Sequence, residues 1–508
     1  MNVVLIMTDQ QRAGLCAREG YPLDTNPCID RLAAEGMWFN RAYTPVPACL
    51  PARVSMLTGR WPQATRVRHN SMKMSREHAE AARIPIAEND LFSLFRDAGY
   101  RTAMVGKNHS HLQPGDADYW SPYDHGGGTR QENRTPLEVE FDEFLAGLNH
   151  RAYSKATPYP LECQPPVRVV RDACNWIDTV GGDPFFMWLT FAEPHNPYQV
   201  PEPYFSMFPH DSLPDLGTTE RDGYARGFKW RFTREIGKTA FPDYDEQREY
   251  ARTNYHGMLR MIDDQVQRFI AHLESRGVVD DTLIVFMSDH GDFVGEYGLV
   301  RKGPGVPDVL MRVPLVFRGP GVTLHNGAHP AHVSLVDIAP TVCEAAGIMP
   351  DGKVPDGMQG RSLWPLLTGG RYPEEEFRSV YAEQGMGELH YDGSESIIKA
   401  EDDGLVASCG FDELNSRSQS GFLRMVRKGD WKLECDMHGE AALYNLGEDP
   451  YELKNLAGEP AHAEIEFELT KELLSWCIRA TDTLPYPNLR YKIKRDPRNY
   501  YAPYRVSR

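Results

Sequence analysis

Val3-Val4-Leu5-Ile6-Met7-Thr8-Asp9-Gln10-Gln11 is the stretch that decides the fold. Five apolar residues without a break, then four polar ones, read as a parallel strand buried on both faces that delivers side chains from its C-terminal end. Working outward, the same pattern returns three times. Thr102 to Val105 is a short strand that releases Gly106-Lys107-Asn108-His109. Phe185 to Phe191 empties into Ala192-Glu193-Pro194-His195-Asn196-Pro197, and Thr282 to Met287 ends in Ser288-Asp289-His290-Gly291-Asp292. Helical stretches separate these strands: Pro27 to Met37 closed by Gly36, Leu91 to Ala98, Val167 to Val180, and Tyr250 to Arg276 with its apolar stripe of Tyr255, Met258, Ile262, Val266, Phe269 and Leu273. Alternating strands and helices predict a doubly wound α/β sheet. Such a sheet gathers its strand ends, and hence residues 9, 107, 195 and 289, on the edge where ligands bind.

Val313 to Phe317 adds a further strand and Leu335 to Ala346 a helix starting near Ser334. After Gly369-Gly370 the texture changes. Ser379 to Glu383, Phe422 to Val426, Trp431 to Cys435 and Ala442 to Leu446 are short strand-like runs, and Glu464 to Ile478 is an amphipathic helix. The expected division is a large α/β domain over 1–375 and a smaller α+β domain, with a short antiparallel sheet, over 376–508. Residues 490 to 508 hold seven Arg or Lys and four Tyr. This basic arm is expected to lie on the acidic body of its own chain or on a neighbouring subunit, which would make a homo-oligomer. Residues 112 to 165, rich in Gly, Pro and Asp without a period, are assigned to loops.

Composition narrows the function classes. With 508 residues, 41% hydrophobic and 25% charged, the chain is an ordinary globular protein with room for a sizeable core. A formal charge of −17 argues against a nucleic-acid surface or a polybasic membrane patch, so an anionic substrate must be met by a local basic pocket. The nine cysteines are scattered and form no C-x-x-C pair, which suggests neither a zinc site nor a disulfide framework. No apolar run reaches the ~18 residues of a membrane span. The chain as given carries no signal peptide, which is consistent with a cytoplasmic location, or with a periplasmic or secreted one if a leader was trimmed, and leaves the compartment open.

The chemistry centres on Cys49-Leu50-Pro51-Ala52-Arg53, running on to Thr58-Gly59-Arg60. A proline-rich loop from Thr44 to Pro51 leads into a helix predicted from about Arg53, which puts a thiol near a helix N-terminus beside a fixed cation, the setting of a nucleophile. Asp9, Asp289 and His290, with Gln10 as a further oxygen, are hard donors plus one imidazole and suit a divalent cation such as Ca²⁺ or Mn²⁺. Asp9 alone could equally be a helix cap; two such strand ends together favour the cation. Lys107, His109, His195 and Lys302 are cationic or proton-carrying groups that suit an anion whose bridging oxygen must leave. A single histidine at any of these positions would more often be structural, and it is their coincidence that points to a site. Arg66, Arg68, His69 and Asn70 read first as a solvated basic turn and second as a contact to another anionic group. The loops 112–165 and 200–245 are predicted to wall the substrate pocket.

Taken together, these residues resemble the type I, formylglycine-dependent sulfatases of the alkaline phosphatase superfamily. Cys49-Leu50-Pro51-Ala52-Arg53 with Thr58-Gly59-Arg60 matches the C-x-P-[SA]-R plus T-G-R signature, and the ordered series continues through Asp9-Gln10-Gln11, Gly106-Lys107-Asn108-His109, Glu193-Pro194-His195, Ser288-Asp289-His290-Gly291 and Leu335-Val336-Asp337-Ile338-Ala339-Pro340-Thr341. It extends to Leu443-Tyr444-Asn445-Leu446, Asp449-Pro450, Glu452, Asn455 and Leu456. The resemblance implies a large mixed, mostly parallel sheet sandwiched by helices, with a smaller C-terminal α+β domain. It implies that Cys49 is oxidised to formylglycine by a formylglycine-generating or anaerobic sulfatase-maturing enzyme, and that the hydrated aldehyde is the nucleophile. Asp9, Asp289, His290 and Gln10 would hold one metal, Ca²⁺ first and Mn²⁺ next. Arg53 would orient the nucleophile, Lys107 and Lys302 would bind sulfate oxygens, and His109 and His195 would move protons.

Two departures bear on the substrate. Gln10 stands where many sulfatases have a second Asp, and His290 where they have Asn, as in the phosphonate monoester hydrolase and choline sulfatase branches. The Gly-Lys-x-His element of Lys107 and His109 is by contrast a sulfatase feature that the phosphonate hydrolases lack. The expected activity is therefore removal of sulfate from an organic ester, a sulfated mono- or oligosaccharide before a small aryl or alkyl sulfate. A phosphonate monoester or phosphodiester hydrolase is the alternative, and a noncatalytic carbohydrate-binding relative that keeps Cys49 as a thiol comes last.

Overall fold

The computed structural model describes residues 1–70, 89–127, 134–349, 352–385, 420–481 and 498–502. Its centre is a seven-stranded sheet made of β1 (Asn2–Asp9), β2 (Met37–Trp38), β4 (Arg101–Lys107), β5 (Tyr119–Tyr123), β6 (Phe185–Pro194), β7 (Thr282–Ser288) and β8 (Leu315–Arg318). Two further strands, β3 (Ala42–Tyr43) and β9 (Val333–Ser334), pair apart in a small ribbon. Across the sheet the order is β2-β8-β7-β1-β6-β4-β5, so the opening stretch of sequence lies in the middle. From β7 to β5 all neighbours run parallel, whereas β8 is antiparallel to both β7 and β2.

The unbroken apolar run of β1 divides between two cores, because successive side chains leave a strand on opposite faces. Val3, Leu5 and Met7 join Met56, Phe92, Phe95 and Ile338 of the Cys49–Thr58, Leu91–Asp97 and Ile338–Ala345 helices. Val4 and Ile6 join Ile29, Val169, Trp176, Ile262 and Phe269 of the Pro27–Ala34, Pro165–Val180 and Tyr244–Ser275 helices. The mostly parallel sheet sandwiched by helices is thus present.

The second sheet, β10 (Ser379–Gln384), β11 (Leu423–Lys428), β12 (Trp431–Asp436) and β13 (Ala441–Asn445), is antiparallel in sequence order. Tyr381, Val426, Leu433 and Leu443 from it pack with Leu469, Leu473 and Trp476 of the Ala463–Ala480 helix and with Trp61 and Val336 of the larger body. Of the basic arm, residues 498–502 lie on the chain's own body: Tyr500 donates to Ser362 O at 2.6 Å and Asn499 Nδ2 to Met358 O at 2.9 Å. The rest of the arm, 490–497 and 503–508, falls outside the described residues, as does Cys409; the other eight cysteines are unpaired. Among the described residues no helix is long and apolar enough to cross a membrane.

Two expectations are corrected. Residues 200–245 are not all loop, since they hold the helices Tyr204–Met207, Glu220–Ala225 and Phe228–Ala240. Nor are residues 112–165 all loop: they contain β5 and a helix, Pro136–Gly147, opened by a capping box in which Thr135 and Glu138 satisfy each other's backbone N–H groups. β5 is an edge strand, which is why it tolerates Pro122 and shows no strand-like alternation.

Candidate active site

The nucleophile stretch is more tightly held than its proline suggests. The helix begins at Cys49, not at Arg53 as predicted, because Pro51 falls in the first turn, where a backbone N–H has no intrahelical acceptor to lose. Leu50 N–H is instead capped by Asn70 Oδ1 at 3.0 Å, so Asn70 serves the nucleophile helix from the turn that follows it. All ten residues of the helix are buried, and Cys49 is 1% exposed. The helix closes on Gly59, whose φ of +63° favours glycine and whose carbonyl accepts from Gln359 N–H and Gly360 N–H. Arg60 Nε reaches Gly357 O at 2.9 Å. The T-G-R half of the signature therefore anchors the helix to the 357–360 segment.

From the next turn Arg53 reaches under the sheet edge and touches the ends of three strands and Thr190 within β6. Its Nη2 donates to Asp9 Oδ2 at 3.1 Å and its Nε to Asp289 Oδ2 at 2.8 Å; its Nη1 donates at 2.8 Å both to Lys107 O and to Thr190 Oγ1. The group is wholly buried, with Trp188 packed below it at 5.7 Å. A planar guanidinium with five donors can make this junction where an ammonium could not.

Asp9, Cys49, Asp289 and His290 present their ligand atoms within 4.8 Å of one another, all buried. Cys49 Sγ lies 3.1 Å from His290 Nε2 and 3.5 Å from Asp9 Oδ1. His290 Nδ1 sits 2.8 Å from Gly291 O, which fixes the tautomer that turns Nε2 toward the carboxylates, the orientation a metal-binding imidazole needs. Burial disfavours charge on every member, yet the arrangement overrides it. Lys107 and Arg53 hold Asp9 well below the usual carboxylate range against its desolvation. Asp289, desolvated and beside Asp9, is raised. His290, despite burial, is pushed up to about 9 by Asp289 and Cys49. Burial and Asp9 oppose ionisation of the Cys49 thiol, but Lys107, Lys302 and His290 together bring it well below its ordinary value. Two carboxylates and an imidazole held through Nδ1, whose Nε2 would give up its proton on binding, converge on one buried point and fit a hard divalent cation.

The remaining predicted residues flank this ring. Lys107 Nζ bonds Asp9 Oδ2 and lies 2.9 Å from His125 Nε2. Lys302 Nζ donates to Gln10 Oε1 at 3.1 Å and lies 3.1 Å from His195 Nε2. Gln10 directs its amide nitrogen to Asp292 and its oxygen to Lys302. His195 Nδ1 meets Asn196 O at 2.8 Å; burial, His125 and Lys302 keep its ring well below the usual histidine pKa and so neutral. His109 is partly exposed just past β4, with φ +37°. Arg68 lies over Phe422 at 5.2 Å and His69 is buried.

Sequence reasoning missed His125, Thr190, Tyr198 and Asp292. His125 stacks on His195 with ring centroids 3.7 Å apart and takes up the free side of Lys107. It follows an edge strand with no readable period, so only its nearness to Lys107 in the sheet could have found it. Asp292 was in plain view, three residues beyond Asp289.

Comparison with known proteins agrees with this geometry. The sulfatase family model matches residues 1–348. Over 95% of this chain and 96% of its own length, the multifunctional alkaline phosphatase superfamily protein PehA of Trinickia caryophylli is 26% identical. An arylsulfatase of Clostridium perfringens is 27% identical over 91% of each chain. Among solved structures, the phosphonate monoester hydrolase of Agrobacterium radiobacter superposes with a TM-score of 0.74 at 25% identity, covering 94% of this chain and 96% of its own. With its sheet, its buried thiol at a helix start and its family match over two thirds of the length, the chain belongs to the sulfatase family of the alkaline phosphatase superfamily and is a hydrolase of that family.

Proposed function

We propose that the chain removes sulfate from an organic sulfate ester at Cys49. The observation that carries this reading is the position of Cys49 Sγ in the buried ring of Asp9, Asp289 and His290, with Lys107 and Lys302 on its flanks. Converted to formylglycine and hydrated, residue 49 would supply one hydroxyl to attack sulfur and a second to expel sulfate, and a divalent cation, Ca²⁺ before Mn²⁺, held by Asp9, Asp289, His290 and the Gln10 carbonyl would draw charge from the ester oxygens. Everything else falls to the chain's own groups. Lys107 and Lys302 provide fixed positive charge for nonbridging oxygens, preorganised by Asp9 and by Gln10 respectively. His195, neutral at rest, is a proton acceptor, so the proton for the departing oxygen comes from His109 or across the Lys302–His195 hydrogen bond. Arg53 holds both carboxylates in register with the nucleophile helix.

The organic half of the substrate is proposed to be a sulfated mono- or oligosaccharide. A cleft of about 430 Å³ lined by Phe228, Trp230, Phe422, Asp436 and Tyr444 sets aromatic faces beside a carboxylate, but its lining includes none of the residues around Cys49, so the sugar reading rests on the family resemblance and not on this cleft. The second reading, a phosphonate monoester or phosphodiester hydrolase, is favoured by His290 in the ring and Gln10 beside it.

Turnover of an aryl sulfate, an aryl phosphonate monoester and an aryl phosphodiester by the same preparation separates the two. Sulfate is expected to have the highest kcat/KM, and a much higher value on the phosphonate overturns the reading. Activity on defined sulfated sugars then tests the sugar. Cys49→Ala is expected to abolish turnover without disturbing the fold. Mass measurement of the Cys49 peptide checks conversion by the formylglycine-generating or anaerobic maturing enzyme the reading requires.

A further inference from the structure

Asp292 has been given no role so far, yet four donors converge on it, one of them Gln10. Its Oδ2 accepts from Gln10 Nε2 at 2.6 Å and from Tyr198 OH at 2.7 Å. Its Oδ1 accepts from the backbone N–H of Val294 at 2.7 Å and of Arg301 at 2.9 Å. The carboxylate is fully buried.

Each pair of bonds does something different. A side-chain amide is ambiguous by rotation, presenting N–H₂ or C=O to either side. Against an acceptor already taken by Tyr198, Gln10 must offer its nitrogen, and its oxygen is thereby turned inward to Lys302 Nζ. The Oδ1 side acts on the backbone. Val294 and Arg301 stand at φ +49° and +68°, a conformation that side-chain-bearing residues reach only at a cost, and most of all a β-branched one. Their N–H groups are the two that Asp292 holds. They bracket a loop whose further closure is Phe293 N–H to Arg301 O, and the residue after it is Lys302.

We infer that Asp292 is a positioning residue that sets the Gln10 carbonyl and the Lys302 ammonium at once, the first toward the divalent cation and the second toward the sulfate oxygens. The inference rests on the metal reading proposed above. Partners that orient metal ligands typically change metal affinity ~10- to 100-fold when lost.

The test is a charge-exchange cycle read without turnover, by divalent-cation affinity in competition with a chelating dye and by the binding constant of inorganic sulfate. Asp292→Asn is expected to weaken both by ~10-fold or more. Gln10→Glu alone adds ligand charge but sets it against the Asp292 carboxylate, so it should gain little cation affinity or lose some. In the double variant the amide introduced at position 292 can donate to the carboxylate introduced at position 10, and cation affinity should exceed that of either single variant. A generic structural role would give only the sum of the two single effects in the double variant. Tyr198→Phe, which removes one of the four donors, should move the same two constants in the same direction and covers the case in which Asp292→Asn does not fold. Unchanged constants in Asp292→Asn or Tyr198→Phe, or merely additive effects in the double, overturn the inference. Absence of cation binding by the parent protein would instead overturn the metal reading beneath it.

Discussion

Arg53 and His125 are the two side chains on which the site's geometry most depends. Arg53→Lys keeps the charge, but one ammonium cannot span Asp9, Asp289, Thr190 and the Lys107 carbonyl together. The variant is expected to lose ~3 to 5 kcal/mol in urea unfolding, because buried carboxylates are left short of partners. An unchanged midpoint would mean the four strands hold themselves. His125→Ala removes the second partner of Lys107, beside Asp9, and the ring stacked on His195. Its kcat on a sulfate ester should fall ~10²-fold while stability changes by under ~1 kcal/mol, since the residue is partly exposed. Equal rates in the two proteins would leave His125 a bystander.

At the scale of elements, the strand ends could be read directly from the sequence because burial on both faces writes an apolar run, and the chemistry begins where that run stops. Asp9, Lys107, His195 and Asp289 were found in this way, and the structure brings them to one edge. What lay outside the pattern was lost. β5 pairs on one side only, and the Pro136–Gly147 helix announces itself by Thr135, Pro136 and Glu138 rather than by period. The register of β4 on β6 has its own weak point. At Gly106, φ is +108° and a Cβ would lie 1.6 Å from Thr190 O. Gly106→Ala must push β4 away from β6, and with it Lys107 and two acceptors of Arg53. A thermal melt should show loss of the cooperative transition or a fall in Tm of ~10 °C or more; an unmoved Tm would show that the strand pair can yield.

At the scale of the whole molecule, acid is the expected point of failure. Burial holds His256 down to about 4, His329 to about 4 and His332 to about 3. A base whose folded pKa is depressed binds its proton better in the unfolded chain, so the stability these three groups carry is present in full above about pH 6.5 and is lost as pH falls toward 4, whereas Glu193 and Asp263, which burial raises to about 7, act with the opposite sign. His256 alone represents roughly 3 kcal/mol over that window. His332, held between Phe377 O and Gly429 O where the second sheet meets the first body, should matter likewise. Urea unfolding of the parent and of His332→Gln at pH 7 and pH 5 isolates one of them: the variant is expected to lose less stability between pH 7 and pH 5 than the parent does, and the same pH dependence in both proteins refutes it.

The middle strand of the large sheet is also the earliest of its strands in the sequence, with consequences for biosynthesis. β1 cannot be hydrogen-bonded on both edges until β6 and β7 exist, and β7 ends at Ser288. A ribosome adding ~5 to 20 residues per second needs roughly 10 to 50 s to travel from Cys49 to that point. During that interval the nucleophile helix has no sheet to bury it, and afterwards Cys49 is closed to any enzyme. The slow, long-range topology thus sets a clock, and any oxidation of the thiol has to finish before it runs out.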